Sequence, residues 1–84
     1  MIESQEIETL LQTFLQSEVF APEVVVTSET DLIATGLDSL SLVRLLLFIE
    51  MNYGLWIPER EITSDTLRNL RTLAATASRL LNER

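Results

Sequence analysis

Only one stretch of this sequence could pass for a β-strand, and nothing else in it could pair with that stretch. Val24-Val25-Val26 is the longest purely aliphatic β-branched run. A lone strand would leave its backbone N–H and C=O groups without partners. A sheet is therefore excluded, and the chain must fold through helices. Elsewhere apolar residues recur at i, i+3, i+4 and i+7, the helical period. The expectation is an all-α fold: a small four-helix bundle, three helices long and one short, with a long ordered loop between helices 1 and 2.

Eighty-four residues hold one modest core, so 1–84 reads as a single domain. With three Phe, one Trp and one Tyr, most of the packing falls to Leu. There is no Cys and no His, which removes disulfides, thiolate metal sites and any Ser-His nucleophile. A small hydrolase fails for want of a base, and no catalytic residue or metal ligand is expected. The net charge of −7 disfavours nucleic acid and anionic membrane. It suits partners with basic patches, reached by electrostatic steering, and equally suits plain solubility. Met1-Ile2-Glu3-Ser4 lacks the basic and apolar blocks of a signal peptide, and Arg44 and Glu50 interrupt the longest apolar run. The expectation is a cytoplasmic monomer.

Along the chain, Ile7, Leu10, Leu11, Phe14 and Leu15 mark one face of a first helix from Ser4, its cap, to about Gln16. The opposite face, Gln and Thr, reads as surface. Ser17 to Thr35 is a long connection in which the Val run and Phe20 cover one end of the helices. Within it Thr30-Asp31-Leu32-Ile33 forms a short helical turn anchored by Leu32 and Ile33. Leu40 to Tyr53 is the second helix, with Leu42, Val43, Leu46, Ile49 and Tyr53 toward the core. Leu40, Arg44, Leu47 and Met51 fall on another face, expected to be exposed as a partner surface, though Leu47 or Met51 could be ordinary core. Gly54 closes that helix in a left-handed conformation. Leu55 and Ile57 point in and Trp56 out, either toward a partner or folded over the chain's own surface. Glu59 to Arg68 carries a short third helix capped by Thr63 and Ser64 and packed by Ile62 and Leu67. Asn69 caps the last helix, whose core stripe is Leu70, Leu73, Ala74, Ala77, Leu80 and Leu81, with Arg79 and Arg84 suiting its C-terminal dipole.

The junction Gly36-Leu37-Asp38-Ser39-Leu40-Ser41 opens the most apolar helix in the chain. Gly36 allows the backbone to reverse, and Asp38 is a good N-cap. Ser39 then stands at the first helical position with its hydroxyl free to point past the helix end. A phosphate esterified there would lie beside the positive end of the helix dipole. Such a place suits a serine that is modified more than one that reacts unaided.

Asp31-Leu32-Ile33-Ala34-Thr35-Gly36-Leu37-Asp38-Ser39-Leu40 resembles the signature of acyl and peptidyl carrier proteins of the stand-alone type. The resemblance runs through nearly the whole chain. It implies that Ser39, preceded by Asp38, carries 4′-phosphopantetheine donated from coenzyme A by a phosphopantetheinyl transferase. It implies further that the arm's thiol holds an acyl or aminoacyl group as a thioester, passed from a loading ligase to a downstream synthase or transferase. Leu40, Arg44, Leu47, Met51 and Trp56 would then be read by those enzymes. The family's fatty-acid type bears acidic residues along the second helix, and a polar or acidic one in place of Trp56. Here Ser41, Arg44, Met51 and Asn52 stand at comparable places and only Glu50 remains, which points to a dedicated carrier in a specialised or secondary pathway. The alternative is a helical protein-interaction module in which Asp38-Ser39 is only a cap.

Overall fold

The computed structural model describes residues 1–83. Three long helices, α1 (Ser4–Phe14), α3 (Ser39–Tyr53) and α4 (Leu70–Asn82), enclose one contiguous core, with a short helix α2 (Leu32–Thr35) in the connection before α3. Among the described residues there is no strand. The fold is the expected all-α bundle, but its short helix lies before α3 and not after it.

Helix α1 buries Ile7 and Leu11, and the same stripe continues to Leu15. Ser4 does not cap it. The cap position is Glu3, without a side-chain bond, and the entering chain is held by α4 instead. Ile2 donates its N–H to Asn82 Oδ1 at 3.1 Å and accepts from Ser78 Oγ at 2.8 Å. The helix also runs past Gln16, continuing as a π-helical turn over Leu15–Val19 that closes with Phe20 N–H on the Leu15 carbonyl at 2.8 Å. α1 and α4 form the closest helix pair, and α4 contributes Ala74 and Ala77 to the buried core. Small side chains permit such an approach while still excluding water.

The Val run finds its backbone partners in side chains. Gln16 Nε2 donates to the Val24 carbonyl at 2.6 Å, and Gln16 Oε1 accepts from Val26 N–H at 3.0 Å. Gln12 Nε2 donates to the Val26 carbonyl at 2.7 Å. Two glutamines do the work of a missing strand, so the face of α1 expected to be plain surface pins the loop. Because the segment is extended, its side chains alternate. Val26 is buried and Val24 and Phe20 partly so, while Val25 is 77% exposed and covers nothing. Ile33 likewise stays outside, leaving Leu32 as the sole anchor of α2.

Helix α3 buries Leu45, Leu46 and Ile49, with Leu42 and Tyr53 packed at the edge. Val43, expected inside, is 46% exposed, and Leu45 takes its place. The stripe 42, 45, 46, 49 follows the helical period more closely than one through 43. Gly54 (φ 65°) ends the helix, and its N–H bonds the Glu50 carbonyl at 2.8 Å. Leu55 and Ile57 are buried. No regular helix spans Glu59 to Arg68. There is a single 3₁₀ turn, Glu59–Glu61, and then a turn in which Thr63 Oγ1 accepts from Thr66 N–H at 3.2 Å. Thr63, Ser64, Asp65 and Thr66 are residue types whose side chains offer the backbone local partners in competition with a helix. Ile62 and Leu67 still pack as expected. Asn69 caps α4 through Thr72 N–H at 2.9 Å, and Thr72 Oγ1 accepts in return from Asn69 N–H. Arg79, in the last turn of α4, pairs with Glu61 at 2.6 Å, tying the 3₁₀ turn to the bundle. Arg84 lies outside the described residues.

Candidate functional site at the start of the third helix

Three local devices deliver Ser39 to the tip of α3. Asp31 starts α2, its Oδ1 accepting from Ala34 N–H at 3.0 Å. The helix closes after one turn with Leu37 N–H on the Leu32 carbonyl (3.0 Å) and Gly36 N–H on the Ile33 carbonyl (3.1 Å). This is the paired bonding of a Schellman closure, which needs a residue of positive φ. Gly36 supplies it at φ 120°. No atom lies within 4 Å of where its Cβ would stand, so the requirement is conformational and not one of space. Leu37, buried in the same cluster as Leu32, then anchors the chain in the core. Asp38 follows in extended backbone and Ser39 begins the helix, exposed.

The Asp38 carboxylate accepts from Ser41 N–H at 2.8 Å. That bond, helped by the Ser41 side chain, holds its carboxyl below the usual carboxylate range, against a smaller opposing effect of desolvation. Asp38 is thus a committed anion occupied by the helix. The first turn of α3 contains no acidic residue. The first N–H groups of a helix have no intrahelical acceptor and its dipole is positive there. The residues present therefore fit a phosphodiester on Ser39: an exposed hydroxyl, unpaired amide donors and no competing carboxylate within the turn.

At about 100° per residue, Leu42 and Leu46 lie within about 60° of the bearing of Ser39 on the helix, while Leu40, Arg44, Leu47 and Met51 lie about 80–140° round on the other side. All four of the latter are exposed, Leu40 at 71% and Met51 at 84%. They form one stripe, as the spacing predicts. The sequence reading missed what this stripe borders. Phe14 of α1 stacks on Phe48 with ring centroids 4.2 Å apart, and the Arg44 guanidinium stands over Phe14 at 6.0 Å. Together with Leu47 and Met51 they line a groove of about 300 Å³. Phe48, four residues after Arg44, was readable as its helical neighbour, but Phe14 comes from another helix and left no local signal. Trp56 is half-exposed and lines a second groove, of about 280 Å³, on the other flank of α3. A larger opening of about 510 Å³ lies beside Tyr53 and α1. Its one lining residue on α3, Tyr53, lies about 21 Å along the helix axis from Ser39. Among the described residues no group of three or more acidic residues is placed to hold a metal ion.

A family model described as phosphopantetheine attachment site matches residues 5–77. The chain belongs to that family. It is a phosphopantetheine carrier, of a class that attaches a 4′-phosphopantetheine prosthetic group and performs no catalysis itself. Among solved structures, the carrier is similar to the carrier protein in the crystal structure of the Bradyrhizobium japonicum glycine:carrier protein ligase complexed with glycylated carrier protein. The two share 29% sequence identity at a TM-score of 0.66, over 87% of this chain and 96% of that one. A search of the curated proteins finds no match. No helix among the described residues is long and apolar enough to cross a membrane.

Proposed function

We propose that Ser39 bears the 4′-phosphopantetheine and that the carrier shuttles an aminoacyl or acyl group between biosynthetic enzymes as a dedicated carrier of a specialised pathway. The arm supplies a thiol on which the group is held as a thioester. The observation behind this reading is the exposed Ser39 at the first position of α3, directly after a cap whose carboxylate is engaged with the helix. An aminoacyl cargo is favoured over a fatty one because the structural relative is a glycylated carrier seen with its ligase. Ser39 is activated by the phosphopantetheinyl transferase that modifies it, since the carrier has no histidine to serve as its base. The 84 residues act as one monomeric, cytoplasmic domain. A loading ligase and a downstream synthase or transferase read it through Leu40, Arg44, Leu47 and Met51, and through Trp56 on the other flank of α3.

Intact mass spectrometry after coexpression with a promiscuous phosphopantetheinyl transferase tests the assignment. The wild type should gain one phosphopantetheine and Ser39→Ala none. An unmodified wild type beside an active transferase would favour the interaction module, in which Asp38-Ser39 is only a cap.

A further inference from the structure

Two of the surface openings share α1 as a wall. Phe14 lines the smaller with Arg44 and Met51, and Leu10, one turn earlier, lines the larger with Glu6 and Tyr53. α1 and α3 run antiparallel here. The Arg44 guanidinium stands over the Phe14 ring, and at the other end the Tyr53 hydroxyl donates to Glu6 Oε2 at 3.4 Å. Glu6 and Phe14 are about 12 Å apart along α1, and Arg44 and Tyr53 about 13.5 Å apart along α3. The trough between the helices thus ends in a cation at one side and an anion at the other. Among the described residues neither Arg44 nor Glu6 enters an ion pair. Between them lie half-buried Leu10 and Phe14 and exposed Leu47 and Met51. The Thr9 and Thr13 hydroxyls on the same wall donate to carbonyls of α1 itself.

A trough of this length and polarity fits an amphipathic helix. Residues i and i+7 of a helix share a face about 10.5 Å apart. A long carboxylate side chain at i and an ammonium at i+7 therefore reach Arg44 and Glu6, with apolar residues at i+3 and i+4 between them. An extended segment would need backbone partners, and walls made of two helices, their amides already paired, offer none. We propose that α1 is half of a docking groove: an amphipathic helix of an enzyme that serves the carrier lies between α1 and α3, a carboxylate on Arg44 and a basic side chain on Glu6. The inference rests on the reading of Arg44, Leu47 and Met51 as a partner surface. It adds the row Glu6, Leu10 and Phe14, from a helix that does not bear Ser39.

The probe is a helix-stapled peptide with Glu and Lys seven positions apart and leucines between, beside versions with Gln at both places or Glu at both. Holo carrier, its arm confirmed by intact mass, is titrated with each at about 0.15 M salt, where charge effects beyond about 8 Å are screened. Fluorescence anisotropy gives the affinity and amide NMR shifts give the place. The Glu/Lys peptide should bind best and shift Leu10 and Phe14 as well as Leu47 and Met51. The Gln/Gln peptide should bind about two- to tenfold more weakly, the scale of two exposed charge pairs. Glu6→Lys puts cations at both ends, so it should prefer the Glu/Glu peptide to the Glu/Lys one, reversing the wild-type order. Glu23→Lys makes the same charge change on the exposed loop and should keep that order. Shifts confined to α3, or a Glu6→Lys carrier that keeps the wild-type order, overturns the α1 wall and leaves the Arg44 surface standing. No binding of the Glu/Lys peptide, equal binding of all three, or a reversal by Glu23→Lys as well overturns the groove.

Discussion

At the scale of single residues the site is a relay of backbone instructions. Gly36 turns the chain, Leu37 anchors it, Asp38 starts the helix and Ser39 is left at the tip. Each step is carried by neighbours a few positions apart, which is why the sequence alone placed Ser39. The engaged Asp38 carboxylate has a consequence for stability against pH. Its pKa is lowered in the folded carrier relative to an ordinary value of 3.8. Its charged form thus stabilises the fold fully above the unfolded-state pKa, and that contribution disappears as pH falls through the lower folded-state value. Asp38→Asn keeps a capping side chain but cannot titrate. Melting temperatures measured from neutral pH down through the carboxylate range should fall more steeply for the wild type than for Asp38→Asn. Parallel curves would show that the cap bond carries no pH-dependent stability.

At the scale of elements, the three long helices were legible, while the place of the short one and the facing of the central one were not. Leu42 to Met51 is so densely apolar that several stripes fit the helical period. Choosing among them needs the rest of the fold, in which Leu45 is buried and Val43 exposed. Leu45→Ala should therefore cost about 2–5 kcal/mol in denaturant unfolding, as a fully buried leucine does. Val43→Ala should cost less than about 1 kcal/mol. Equal losses would mean that α3 is rotated from the orientation described. The stretch from Glu59 to Arg68 failed for another reason. Likeness to carriers suggested a helix, while the Thr63–Thr66 cluster favours local side-chain bonds that the turn adopts. The anchoring of the Val run by Gln12 and Gln16 joins residues from 8 to 14 positions apart, and glutamine carries no sequence mark of such a role. The paired phenylalanines beside the docking stripe were hidden in the same way, since Phe14 and Phe48 meet only across the fold.

At the scale of the whole molecule, the charge and the proposed docking stripe pull in different directions. A net charge of −7 draws basic partners from a distance. The stripe itself offers Leu40, Leu47, Met51 and the cation Arg44, with the Arg44 guanidinium over Phe14. Long-range attraction is screened by salt over about 10 Å at 0.1 M, whereas contact across a desolvated stripe is screened much less. A cognate ligase should then load the wild type more slowly as salt rises, through weaker steering alone. Arg44→Glu adds to the distant attraction and opposes the close contact. At moderate salt its kcat/KM for loading should fall about two- to tenfold, because an exposed charge contact is worth about 0.2–1 kcal/mol and reversal turns attraction into repulsion. Its stability should drop by no more than about 1 kcal/mol, the ceiling for an exposed cation–π contact. The two effects separate because steering reports the net charge and docking reports the sign at one position. Loading kinetics of Arg44→Glu equal to the wild type at every salt concentration would remove Arg44 from the docked surface, whatever the salt dependence of both.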